Sequence, residues 1–304
     1  MKRKFVALLW ALSLFLVACG PQEATPVAGG RPIVVATNAI LGDLAYQVGG
    51  EQIQLVILVG ANGDSHTFEP SPADSASLVS ASLIIENGLG LESWLDQLYQ
   101  SSGATGRRVV ASEGIEAIAL GEEHEHSEFD PHIWHDVSKV IQMVQNIAAA
   151  LIEADPANAP TYQANSAAYI AQLEELDSWI FEQVETIPAG QRKLVTVHDT
   201  FAYFAARYQF ELIGTVLNAS TTEAGDPSAG EMVALIEAIR SANVPAIFTE
   251  NITNPQLAQQ IATEASVQLA PPLYSDSLGE TGSEGSTYLG MMRYNVSTIV
   301  QALK

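Results

Sequence analysis

The sequence predicts an α/β fold: two lobes with mainly parallel sheets, joined by one long rigid connecting helix. Three observations predict it. From Arg31 onward, short β-rich runs alternate with helix-period stretches. A second such alternation begins near Leu194. Between them, Thr161 to Ile187 contains neither Gly nor Pro and repeats its apolar residues at steps of three and four.

In the first lobe, Ile33–Ala36, Ile53–Val59 and Leu83–Glu86 are rich in Ile, Val and Leu and read as strands. The stretches between them, and Leu91–Ser101 after them, read as helices. Strands separated by helices pair in parallel, because a parallel connection needs a crossover. In the central stretch Tyr169, Leu173, Leu176, Ile180, Val184 and Ile187 form one apolar stripe. Pro156 and Pro160 precede it, and Pro188 with Gly190 stops it. Such a helix is about 40 Å long, enough to run the length of a small domain. One helix of a bundle would carry the same stripe, but strand patterns on both sides favour a connector. In the second lobe Leu194–Val197, Glu211–Leu217, Ala246–Glu250 and Val267–Ala270 read as strands, with helices such as Gly230–Ala242 and Pro255–Ala265 between them. The expected organisation is an N-terminal lobe over 31–158, a connecting helix over 159–189 and a C-terminal lobe over 190–304. Gly121–Phe129 is acidic, contains His124 and His126, lacks periodicity and reads as a mobile loop.

The N-terminus reads as an address. Lys2-Arg3-Lys4 precedes the apolar run Phe5 to Ala18, broken only by Ser13. The run is short for a bilayer span and has the charge-then-apolar order of a signal peptide, 1–18. Cys19 follows small residues at its end, resembling a bacterial lipobox in which that cysteine is lipidated and becomes the first mature residue. Residues 19–30 then read as a flexible linker between anchor and domain. The alternative is an ordinary signal peptide with a chance cysteine.

Composition narrows the partners. The 304 residues are 47% hydrophobic and 16% charged, so the chain buries a core rather than staying disordered. With 13 basic and 35 acidic residues the formal charge is −22, which repels phosphate backbones and excludes nucleic acid as a partner, and equally a basic patch for anionic lipid. Cations remain as natural ligands. A single cysteine excludes an internal disulfide and a Cys-rich zinc site.

Four segments carry residues suited to metal chemistry. Asp64-Ser-His66-Thr-Phe-Glu-Pro70 follows a strand, where open α/β sheets place their ligands. Asp130-Pro-His132-Ile-Trp-His135-Asp136 opens a helical pattern, with Asp136 or Ser138 as its N-cap. Val195-Thr-Val-His198-Asp199-Thr-Phe places His198 just past another strand. Leu273-Tyr-Ser-Asp276-Ser-Leu-Gly279 follows the last. Three imidazoles and a carboxylate make a tetrahedral set for Zn²⁺. Each residue alone also fits a plainer role. A loop histidine serves as a hydrogen-bonding residue, Asp276 as a turn residue, and one of His132 and His135 as an orienting group. Spacing alone leaves both readings standing.

His66-Thr-Phe-Glu69-Pro70, Asn87-Gly-Leu-Gly-Leu-Glu-Ser-Trp-Leu95, Asp130-Pro-His-Ile-Trp134 and His198-Asp-Thr-Phe-Ala-Tyr-Phe204 occur in this order. With the lipobox and the long central helix, they resemble the metal-binding solute receptors of ABC transporters, the zinc/manganese cluster that includes adhesin-type lipoproteins. The resemblance covers the chain from about Arg31. It implies a metal cleft between the lobes with His66, His132, His198 and Asp276 as ligands. Receptors that look like manganese binders carry Glu at the third position; here it is His198. Replacing a carboxylate by imidazole shifts preference toward Zn²⁺, with Mn²⁺ the alternative. Glu280 and Glu284 lie near Asp276 as rival fourth ligands. His135, Asp136, Asp130, Asp199 and Glu250 are candidates for orienting a ligand imidazole. His124 and His126 make a loop shorter than the His-rich one many zinc receptors carry. Trp94, Trp134 and Trp179 read as packing residues.

The resemblance implies an extracytoplasmic receptor, a monomer anchored to the bacterial cell membrane through Cys19, that captures Zn²⁺ and hands it to an ABC permease. Four protein ligands leave no open position for an activated water, so no enzyme activity is expected. Affinity is expected to fall below pH ~6.5 as imidazoles protonate, and the rigid helix to limit lobe closure. A metal-dependent hydrolase with Asp276 or Glu250 as general base is the reading from another class; the sequence carries no HExxH helix for it. An adhesin whose metal only stabilises its fold is a third.

Overall fold

The computed structural model describes residues 30–120, 128–217, 219, 221–222 and 227–304. The segment 1–18 expected to be a signal peptide, Cys19 and nearly all of the expected linker, as well as His124 and His126, lie outside the described residues. Among the described residues no helix is long and apolar enough to cross a membrane.

Parallel pairing organises both halves. Strands β1 (Ile33–Asn38), β2 (Gln54–Val59), β3 (Leu83–Glu86) and β4 (Arg107–Val110) form one sheet in the order β2-β1-β3-β4, every pair parallel. Helices α1 (Ala39–Gly49), α2 (Pro72–Ser80) and α3 (Leu95–Ser102) make its crossovers. The sequence reading has no β4. This edge strand begins with Arg107 and Arg108 and has no apolar alternation to announce it. Arg107 pairs with Glu153, and Arg108 forks onto Glu86 at 2.6 and 2.8 Å and reaches Asp96 at 2.6 Å. Helix α3 starts four residues later than Leu91. Gly88, Leu89 and Gly90 all take positive φ, at 82°, 56° and 82°, and build a turn first.

Helices α4 (Val137–Ala154) and α5 (Ala159–Glu185) follow. α5 has 27 residues and buries Tyr162, Ser166, Tyr169, Leu173, Leu176, Ile180 and Val184, the stripe read from the sequence. It packs on α1 and α4, and also on α9 (Tyr288–Leu303) at the far end of the chain. Its Asp177 receives Arg207 and the Tyr208 hydroxyl from α6 (Ala202–Tyr208).

The second half holds β5 (Lys193–Thr196) paired with β6 (Glu211–Thr215), and β7 (Ala246–Glu250) paired with β8 (Gln268–Leu273), all parallel, with β5 lying against β7. Helices α7 (Ala229–Ala242) and α8 (Gln256–Ala265) connect them. β8 runs three residues beyond the expected Ala270, through Pro271 and Pro272. Both prolines are exposed, and the register shifts beside them, as an edge strand allows.

Residues 31–304 form one unit. One apolar cluster draws on both halves, with Val34, Leu44, Met143, Leu176, Phe204 and Met292 among its members. Smaller clusters fill the remaining sheet faces, around Val35 and Ile84 in the first half and Val195 and Ile247 in the second. The strands' C-terminal ends thereby turn toward one another: β2, β5 and β8 each end shortly before a residue of the site, and β7 ends on one, Glu250.

Candidate metal centre

His66 sits in the loop after β2. The Asp64 carboxylate accepts the His66 main-chain N–H at 2.8 Å, and the Trp94 indole donates to the Ser65 carbonyl at 3.0 Å. His132 begins the 3₁₀ turn before α4. A single Asp130 oxygen holds both its main-chain N–H, at 2.9 Å, and its Nδ1, at 2.7 Å. His198 follows β5. Glu250, at the end of β7, takes its Nδ1 at 2.5 Å and accepts the N–H groups of Val197 and His198 at 2.8 and 3.1 Å. Asp276 lies three residues past β8 and accepts the Thr200 hydroxyl on Oδ1 at 3.1 Å.

Their free ends converge. Nε2 of His66 lies 3.2 Å from Nε2 of His132 and 3.3 Å from Asp276 Oδ2. His198 Nε2 is 3.1 Å from Oδ2, and His132 Nε2 is 3.7 Å from Oδ1. One ligand atom from each of the four residues fits within 4.8 Å of all the others. A tetrahedral zinc with Zn–N of 2.0–2.1 Å has ligand–ligand edges of about 3.3 Å. Asp130 and Glu250 draw the Nδ1 protons of His132 and His198, which leaves their Nε2 lone pairs facing inward. Lone pairs and carboxylate oxygens at such distances repel unless a cation, a metal ion or a proton, lies between them. His198 Nε2 and Asp276 Oδ2 have no hydrogen-bond partner among the described residues. His132 and His198 are 0% exposed and Asp276 is 1%, while His66, at 9%, faces the way out.

The electrostatics follow. Burial alone would push the Asp276 carboxyl up, but the imidazoles of His198 and His132 hold it well below the usual carboxylate range. Burial alone would lower His198, yet Glu250 and Asp276 raise it well above an ordinary histidine. Without metal the site therefore keeps a proton on His198. The expected loss of affinity below pH ~6.5 begins at higher pH than an unperturbed imidazole gives.

The remaining sequence candidates divide. Asp130 and Glu250 grip the His132 and His198 imidazoles. Asp136 is the N-cap of α4, accepts Ser138 N–H at 2.9 Å and meets Arg207 at 3.2 Å. His135 is buried and stacked on Phe201 with ring centroids 4.4 Å apart, and among the described residues neither ring nitrogen reaches a partner at hydrogen-bond geometry. Burial lowers its pKa to about 3, with Asp276 and the Ser275 backbone opposing. The Asp199 N–H donates to the Ala219 carbonyl at 2.7 Å. Glu280 and Glu284 are exposed. Trp134 is buried and its indole donates to the Ser275 carbonyl at 2.9 Å, while Trp179 lies under Arg293.

Sequence reasoning missed several supports. Thr200 holds Asp276 across 76 residues of chain, and no spacing announces it. Glu92, 8% exposed, accepts the Thr37 hydroxyl and Asn87 N–H at 2.7 Å each and Gly88 N–H at 3.1 Å. The Asn87 side chain donates to the Pro131 carbonyl at 3.0 Å, next to His132. Burial raises the Glu92 carboxyl to about 7, against the hydrogen bonds that lower it. Glu92 lies within the quoted Asn87–Leu95 motif, the one signal that pointed at it.

Comparison with known proteins agrees with this geometry. Residues 34–302 match the family described as zinc-uptake complex component A, periplasmic (ZnuA). The chain is 32% identical over 300 residues to the manganese-binding lipoprotein MntA of Halalkalibacterium halodurans, covering 98% of each protein. The fold is similar to the periplasmic zinc-binding protein TroA of Treponema pallidum, with a TM-score of 0.84, 31% identity, and coverage of 90% of this chain and 99% of that one. It is also similar to the Mn-bound periplasmic metal-binding protein of Candidatus Liberibacter asiaticus, with a TM-score of 0.81, 26% identity, and coverage of 90% and 100%. The chain belongs to the ZnuA family: it is an extracytoplasmic metal-binding receptor of an ABC transporter, not an enzyme.

Proposed function

With family membership as the premise, we propose that the cargo is Zn²⁺, bound by His66, His132, His198 and Asp276 and released to a membrane permease. The observation that carries this reading is the convergence of three imidazoles and a carboxylate: His66 Nε2 lies 3.2 Å from His132 Nε2, Asp276 Oδ2 lies 3.1 and 3.3 Å from His198 and His66, near the edge of a zinc tetrahedron, and one ligand atom from each of the four fits within 4.8 Å of the others. Three nitrogen donors favour Zn²⁺ over the harder Mn²⁺. Two ligands belong to the lobe of residues 31–158 and two to that of 190–304, so the metal ties the lobes together while the helix over 159–189 limits their closure. The receptor is a monomer held at the membrane by lipid on Cys19.

Manganese is the second reading, on two observations. A relative of nearly full-length overlap is named for manganese. Both Asp276 oxygens also face the imidazoles, so bidentate binding would raise the coordination number above four. Competitive Zn²⁺/Mn²⁺ titration of residues 20–304 separates the two. One tightly held Zn²⁺ per chain, resistant to excess Mn²⁺, supports the proposal. Preference for Mn²⁺ overturns the metal, and absence of any stoichiometric metal overturns the ligand assignment.

A further inference from the structure

The segment carrying His132 is fastened to the far half of the chain at two places. Tyr203 on α6 is 1% exposed, and its hydroxyl makes two hydrogen bonds. It accepts the Ile118 N–H at 2.9 Å and donates to the Asp130 carbonyl at 2.7 Å. Beyond His132, the Trp134 indole donates to the Ser275 carbonyl at 2.9 Å, and the Tyr288 hydroxyl donates to the Trp134 carbonyl at 2.8 Å. His132 thus hangs between two points fixed by residues that follow it by 70 positions or more, and Asp130 is the link between the first of them and its imidazole.

We propose that Tyr203 is a positioning residue for the metal site: its hydroxyl sets the place of Asp130, and through it the aim of the His132 imidazole at His198 and Asp276. The proposal rests on His132 being a ligand. The Asp130 oxygen that grips Nδ1 also grips the His132 N–H, so a shift of the Asp130 backbone rotates the whole residue. Outer partners of this kind fix the orientation and tautomer of a ligand histidine. Phenylalanine fills the same volume and keeps the ring under Lys139. It removes the donor to Asp130 and leaves the Ile118 N–H to find another acceptor, which buried polar groups do by moving backbone.

The test compares wild type, Tyr203→Phe, Asp130→Asn, the double variant and His132→Ala by competitive Zn²⁺ titration and by the visible absorption of bound Co²⁺. Tyr208→Phe is the control: it also loses a buried hydroxyl, bonded to Asp177 at 2.8 Å. Tyr203→Phe is expected to weaken Zn²⁺ about tenfold, the low end for an outer partner, and to shift the Co²⁺ bands, while Tyr208→Phe changes neither. If Tyr203 acts through Asp130, the double variant binds no more weakly than Asp130→Asn alone. Wild-type affinity and spectrum in Tyr203→Phe, or full additivity with Asp130→Asn, overturns the proposal while His132→Ala has lost the metal. Wild-type binding in His132→Ala overturns the ligand reading beneath it.

Discussion

Glu92 is where burial has an effect that can be worked out in advance. Its carboxyl is enclosed at the C-terminal ends of β1 and β3, with three hydrogen-bond donors but also Glu86 close by, and its folded pKa is about 7 against an ordinary 4.5. A carboxyl raised on folding binds its proton more tightly in the native state, so stability falls as pH rises from about 4.5 to about 7 and levels off above. At 1.36 kcal/mol per pKa unit, the contribution at pH 5 exceeds that at pH 8 by about 2.5 kcal/mol. Gln cannot titrate, so Glu92→Gln lacks this slope. Its amide nitrogen opposes the Gly88 N–H or displaces it, a cost of roughly 1–3 kcal/mol at every pH. Urea unfolding of both metal-free proteins at intervals from pH 5 to 8 isolates Glu92, because other titrating groups cancel in the difference. Wild type is expected to lead by a margin that shrinks by about 2.5 kcal/mol as pH rises. A constant margin would mean that Glu92 ionises freely and that the turn at Asn87–Gly88 is held without strain from its charge.

Four further outcomes follow from the site. His198→Ala removes a proposed ligand and should lower Zn²⁺ affinity more than the roughly 100-fold that losing an outer partner costs; undiminished binding in the same titration counts against the assignment. Zn²⁺ takes only neutral imidazole, so binding near pH 7 should expel the proton held on His198, and affinity should climb with pH until the raised His198 pKa is passed. Calorimetry in two buffers of different ionisation enthalpy measures that proton, and none released would contradict the raised pKa. In the metal-free protein the stability His198 contributes is complete below pH ~6.5 and is lost as pH rises through its raised value, while that of Asp276 is present above pH ~3.8 and is lost as pH falls through its lowered one. His135→Leu replaces two buried nitrogens that have no partner at hydrogen-bond geometry among the described residues by a side chain of similar size. It should stabilise the metal-free protein by roughly 1–3 kcal/mol in urea unfolding and reduce its loss of stability between pH ~6.5 and about 3; destabilisation would show that the imidazole has a partner.

Periodicity, punctuation and residue type were enough, from the sequence alone, for the elements and for the candidate ligands. The α5 stripe was legible because a helix buries every third and fourth residue wherever it lies. Seven strands were legible because buried parallel strands are runs of Ile, Val and Leu; β4 was not, since an edge strand carrying Arg107 and Arg108 is stabilised by ion pairs rather than by burial. The four candidate ligands stood out as metal-competent residues just past predicted strands or opening a helix. What only the tertiary structure decided is how each imidazole is held and charged. Thr200 reaches Asp276, Glu250 reaches His198 and Tyr203 reaches Asp130 across 52 to 76 residues of chain. The raised His198 and lowered Asp276 pKa values come from burial and mutual approach. Hydrogen bonds and Coulomb energies depend on distances of a few ångströms, and chain spacing says nothing about distance between residues that meet only when two sheets fold toward each other.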